Sequence, residues 1–246
     1  MQRQEVSGAA AQRGAARQLL GCYAALAADA AHLLDGVVQG RPLVQWEHYP
    51  ADDFIDRETG YQYFYHCHAP GARTGGPEHG HFHVFARLDA DRHRLDERSE
   101  ADFLALIGAG ARPRHALAHL LAVALTPKGV PSALFTVNQW VTGDRVLSAR
   151  AVVRALAGFE MRSAGDPLVN RWLAALIGLF RSQIARLLAA RDRRLLAGAR
   201  APRREPLLED RAIEVLSSVA IDADRQLRAL GQGRAARAQV RLRISR

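Results

Sequence analysis

The 246 residues include 48% hydrophobic and 24% charged side chains, ordinary values for a globular chain with a sizeable core, and the formal net charge is +9. No uninterrupted apolar run of about 18 residues occurs, which argues against a membrane span. Two cysteines, Cys22 and Cys67, are too few for a disulfide framework, and no C-x-x-C pair offers a zinc knuckle or redox site, so a reducing, cytoplasmic setting is expected.

The basic Ala-rich start lacks the apolar stretch of a secretory signal. Residues 9–38 repeat Leu19, Leu20, Tyr23, Leu26, Leu33, Leu34, Val37 and Val38 at helical spacing, with Gly40 and Pro42 as the stop. LVQWEHYP looks extended, and ADDFIDRETG is acidic and turn-like. Tyr61 to His68 has strand composition, rich in Tyr and Phe. Pro70, Gly71, Gly75, Gly76 and Pro77 interrupt it, and His81 to Leu88 returns as a second strand. A short helix over Glu100 to Ala109 follows. His115 to Leu125 has helical composition, but the TPKGVP break and the strand-like SALFTVNQWV favour a second hairpin.

Beyond Gly143 the pattern is helical. Ser148 to Gly158 is one helix. Asp166–Pro167 opens another as N-cap and first helical residue, with a stripe from Val169 and Trp172 to Leu187 and Leu188 and an end near residue 197. The spacing of Ile213, Leu216, Ala220, Ala223, Leu227 and Leu230 predicts a last helix over 208–230. The expectation is one α+β domain over residues 1–230. An antiparallel sheet of about four strands, in two hairpins, packs against N-terminal and C-terminal helices. A basic tail occupies 231–246.

Charge concentrates at that end. From residue 186 onward there are 15 Arg against 7 acids, and only Lys128 among the 34 basic residues is a lysine. Such a region attracts a polyanion, anionic lipid or a protein partner, or else is a solvated helix face and a loose end. Acidic residues at 52–58 argue against nucleic acid on the Tyr-rich strand.

Five of the ten histidines fall between His66 and His83. Strand side chains alternate between faces, so His66 and His68 share one face with Phe64, and His79, His81 and His83 share another run. Pairing His68 with His81 and His66 with His83 would gather four imidazoles on one surface, with directly opposed Cβ atoms about 5 Å apart. A slip of one residue would separate them. Imidazole clusters bind divalent transition metals, here Zn, Fe, Cu or Ni. The expected ligands are His66, His68, His81 and His83, with Glu78 as a fifth ligand or a general base, and an open position for a small-molecule substrate. His115 and His119 stand ready to join from a neighbouring strand. Cys67 alternates with the histidines and belongs to the core. The competing reading is a non-catalytic adaptor that works through its helices and Arg-rich end.

Known catalytic signatures are missing: no H-E-x-x-H, G-x-S-x-G or P-loop occurs. GQGRAA at 231–236 follows a helix and is not a dinucleotide loop. The H-x-H with Glu78 resembles part of the first cupin motif in chemistry alone, since the gap is too long and the second motif is missing. GYQYFYHCHAP, EHGHFHVFAR and LFTVNQWVTGD together resemble an uncharacterised bacterial domain family over roughly residues 20–230. That resemblance implies no activity and no site roles.

Overall fold

A computed structural model describes residues 2–68, 78–88, 93, 95–109, 116–202 and 205–231. Its frame is a six-stranded antiparallel sheet in simple sequential order, with helices on one face. The strands are β1 (Tyr49–Ile55), β2 (Tyr61–Cys67), β3 (Gly80–Arg87), β4 (Leu117–Leu125), β5 (Pro131–Val137) and β6 (Val215–Ala220). The helices are α1 (Gln2–Ala28), α2 (Asp35–Val38), α3 (Glu97–Leu106), α4 (Gln139–Thr142), α5 (Ala149–Ala157), α6 (Pro167–Leu179), α7 (Arg181–Arg200) and α8 (Ala223–Ala229). The α+β class and the two hairpins are as expected, while the strand count rises from four to six. Among the described residues no single helix is long and apolar enough to cross a membrane.

Alternation sorts the sheet's side chains into two faces. Tyr61, Tyr63, Tyr65, Phe82, Val84, Leu121, Val123, Leu125 and Leu134 join the main core with Leu19 of α1 and Trp172, Leu173 and Leu176 of α6. Polar tips of the tyrosines tie the layers together. Tyr61 donates to Ala155 O at 2.6 Å, and the Tyr63 hydroxyl donates to Asn170 Oδ1 at 2.8 Å. Buried phenols keep a partner in this way, so their burial is not penalised. A separate small cluster of Ala122, Ala124, Phe135 and Val137 lies on the opposite face.

Asp56, wholly buried, fastens the β1–β2 turn to the segment before α6. Its carboxylate accepts from the backbone of Glu58, Thr59, Arg162 and Ser163 and from the Ser163 hydroxyl. Burial alone would raise its pKa. The converging N–H groups outweigh burial and hold it well below the usual carboxylate range.

Three sequence expectations are corrected. The helix expected over 9–38 stops at Ala28, because local side-chain bonds take over: Asp35 Oδ2 accepts from His32 N, and His32 Nδ1 from Leu34 N. The long helix from Pro167 is two helices meeting at Phe180 with a 73° bend. Gly178, a weak helix former, sits two residues before the break and approaches Ala15 of α1 closely. The helix expected over 208–230 contains strand β6, paired with β5 from Ala133↔Ala220 to Val137↔Val215. Sheet pairing overrides the helical spacing of Ile213, Leu216 and Ala220, and β-branched Val215 and Val219 suit the pleat. The other added strand, β1, joins Tyr49 and Pro50 of the segment that reads as extended to residues 51–55 of the one that reads as an acidic turn. Its pairing is broken by an irregularity between Tyr49 and Phe54, and Asp53 within it has φ +54°.

Candidate metal centre

The register of β2 against β3 sets where the imidazoles meet. Phe64 lies opposite His83, His66 opposite His81, and Cys67 opposite Gly80. The pairing differs by two residues from the one that would set His68 against His81. An even shift preserves the face, so His66, His81 and His83 still share one surface. His68, just past β2, donates its backbone N–H to His79 O at 3.1 Å and stacks its ring on His81, centroids 4.8 Å apart.

Gly80 makes the close approach possible. A Cβ there would stand 2.2 Å from His66 O and 2.5 Å from the Tyr65 hydroxyl. On the other side of β3, His81 lies opposite Ala124 and His83 opposite Ala122. Two alanines leave the rings room to lie against the sheet, and Phe135 closes the side with its ring 4.9 Å from that of His81. As a result His81 and His83 are buried at 0% and 1% exposure, whereas His66 is half-buried.

The ring nitrogens converge. His81 Nε2 lies 2.7 Å from His66 Nε2 and 2.9 Å from His83 Nε2. The ligand atoms of His66, His68 and His81 all fall within 4.8 Å of one another, close enough to share one ion. Behind His81, its Nδ1 meets Glu78 Oε1 at 2.6 Å. Behind His83, its Nδ1 meets His119 Nε2 at 2.9 Å. A continuous line therefore runs from Glu78 through His81 and His83 to His119.

His119 joins through a bulge. Leu121, Val123 and Leu125 of β4 face the helices, so a regular strand would turn His119 the same way. The register shifts between Val84 and Phe85, whose partners are Leu121 and His119. The extra residue, Leu120, joins the core, and His119 rotates to the imidazole face. Burial, helped by the charge of Arg191, pushes the His119 pKa down to about 3, so the ring is neutral. His115, the other candidate on this segment, lies outside the described residues, as do residues 232–246 of the Arg-rich tail. His79 takes a different partner, with Nδ1 2.7 Å from the Tyr65 hydroxyl. Cys67 faces the helix-side core, where burial raises its thiol pKa.

The mouth of the cluster comes from a segment that sequence reasoning treated only as extended. Trp46, 63% exposed and at φ +69°, sets its ring edge-on to His68 with centroids 4.5 Å apart. His48 stacks on Phe64 at 3.7 Å and bonds Asp53 Oδ1 through Nδ1 at 3.0 Å. Tyr49 holds this segment in place, donating its hydroxyl to Pro42 O and accepting from Val44 N, each at 2.6 Å. The one available signal was the alternation of Trp46 and His48 just ahead of the Tyr-rich strand.

No curated protein and no solved structure matches the chain. A family model described as "Domain of unknown function (DUF6969)" matches residues 13–221, and the chain belongs to that family.

Proposed function

We propose that the protein binds one divalent transition-metal ion between β2 and β3, with His66, His68, His81 and His83 as its ligands. One observation carries this reading. His81 Nε2 has a single in-plane lone pair or a single proton, yet two other ring nitrogens stand 2.7 and 2.9 Å from it. Neither tautomer serves both neighbours well, whereas a cation at their focus serves all three. Two nitrogens bound to one zinc ion at about 2.1 Å stand roughly 3.4 Å apart at the tetrahedral angle. The rings need only small rotations to reach that spacing.

The surroundings suit the same role. Glu78 against His81 Nδ1 keeps the proton on that nitrogen and leaves Nε2 bare for a metal. His119 does the equivalent for His83, whose Nδ1 it holds. Zinc, iron, copper and nickel all accept imidazole. An ion held by neutral rings in a buried site retains its charge and acts as a Lewis acid toward water or a small substrate. Access would come past Trp46 and His48, on the side of half-buried His66. The two buried free thiols, Cys22 and Cys67, suit the reducing cytoplasm inferred from the sequence.

The test is elemental analysis of untagged protein, with reconstitution by zinc, nickel, copper and iron(II) in turn. Near one equivalent of one metal is expected, lost in His66→Ala and in His81→Ala. Thermal unfolding confirms that each variant folds. No tight binding of any of these metals, or equal retention by both folded variants, overturns the proposal.

A further inference from the structure

We propose that a second site, on the helix side of the sheet, binds a small carboxylate with an apolar body. A cavity of about 280 Å³ opens between β2, β3, α3 and α5. Its floor includes Tyr61 and Ala86, which oppose each other across β2 and β3 and belong to the face away from the histidines. Leu147 and Ala151 continue the apolar wall, and both are buried. Arg150 and Arg154 stand one turn apart on α5, both exposed, and line the same cavity.

The lining holds two arginines and two acids, and what separates them is that the acids' oxygens are already hydrogen-bonded. Each acid is committed to a helix start. The Asp96 carboxylate caps α3, accepting from Ser99 N at 3.1 Å and Ser99 Oγ at 2.7 Å. The buried Glu100 carboxylate accepts from Ser148 N at 2.7 Å and Ser148 Oγ at 2.6 Å, at the start of α5. Each carboxylate thus faces the positive end of a helix dipole and satisfies its N–H groups. Of the other titratable groups in the lining, His93 points Nε2 at Thr59 O, 3.1 Å away, and the Tyr61 hydroxyl donates to Ala155 O. Among the described residues neither Arg150 nor Arg154 makes an ion pair. Their guanidinium forks match a carboxylate in plane and spacing. The Asp96 charge lies within electrostatic reach of both arginines, but neither guanidinium is hydrogen-bonded among the described residues, and the apolar floor below them suits a ligand that has both a tail and a single negative head.

Calorimetric titration of the full chain with octanoate tests this, with octanol and acetate as the neutral and tail-less controls. Octanoate is expected to bind saturably, and each control at least about tenfold more weakly. Arg150→Gln/Arg154→Gln, at two exposed positions that leave the fold intact, is expected to weaken octanoate at least about tenfold. His66→Ala is expected to leave it unchanged, which separates this site from the metal centre. Absence of octanoate binding overturns the proposal. So does octanol or acetate binding as well as octanoate, or unaltered affinity in the double arginine variant.

Discussion

At the scale of single residues, the imidazole cluster depends on which nitrogen of each ring carries the proton. Glu78 decides this for His81. Glu78→Gln keeps the size of the side chain but removes its charge, and its amide can present N–H as easily as oxygen to Nδ1. Affinity for the bound metal should fall on the order of 10–100-fold, the usual cost of losing a carboxylate behind a metal-binding histidine. A competition titration against a chelator measures it, and unchanged affinity would show that Glu78 does not orient the ring. A second residue sets a pH dependence. Burial pushes the Asp144 carboxyl up to about 7, against bonds from the Thr142 side chain and the His119 backbone that favour its charged form. Its folded pKa is thus above the unfolded value near 4, so its favourable contribution is complete below about pH 4 and is lost as pH rises through 7. Asp144→Asn carries no such loss. Relative to the parent chain, the variant should gain stability between pH 5 and pH 8, on the order of 2–4 kcal/mol. Urea unfolding at the two pH values checks this, and parallel pH curves would refute it.

Secondary-structure elements show what the sequence could and could not convey. Strands β2 and β3 are legible because Tyr, Phe and His alternate between clear breaks, and the period of two sets His66 beside His68 and His81 beside His83 on shared faces, while the register that joins the two pairs is a property of the paired strands. The Asp166–Pro167 helix start is equally local and forms as expected, with Asp166 Oδ1 accepting from Leu168 N and Val169 N at 2.9 Å. Strand β6 is illegible for the opposite reason: its apolar residues fit a helical stripe, and only the partner β5, some 80 residues earlier in the chain, makes it a strand. The bulge that turns His119 over is likewise a property of two paired strands, and no feature of HALAHLLAVAL encodes it alone. Gly80 joins both kinds of information. In the sequence it is one of several glycines around the loop, and in the fold it is where β2 and β3 come closest. Gly80→Ala would force its methyl against His66 O and the Tyr65 hydroxyl. The strands must separate at the position that aligns His66 with His81. Loss of stability of about 1–3 kcal/mol is expected, with metal affinity falling in parallel. Wild-type affinity in a folded Gly80→Ala protein would mean that the strand spacing does not set the ligand geometry.

For the whole molecule, the sheet divides two tasks between its faces. The helix side carries the main core, including Trp172, Phe82 and the three tyrosines of β2, and supplies the stability. The other side carries the histidines, which contribute no comparable apolar burial. A metal there would be held by residues from two adjacent strands and their flanks, an arrangement that exists only once β2 and β3 have paired. The unfolded chain offers no such focus, so metal binding should be linked to folding. At a free metal concentration a thousand times the dissociation constant, the folded state gains about 4 kcal/mol. The melting temperature should therefore rise with added metal and fall with a chelator. In His66→Ala/His81→Ala both responses should vanish, although helix-side packing keeps the chain folded. Acid should mimic the chelator, because imidazoles that take up protons no longer bind metal. Scanning calorimetry with and without metal at pH 7.5 and pH 5 distinguishes this from simple destabilisation. The parent protein should lose its metal-dependent shift at the lower pH, and the double variant should show none at either. A metal shift that persists in the double variant would place the ion elsewhere in the molecule.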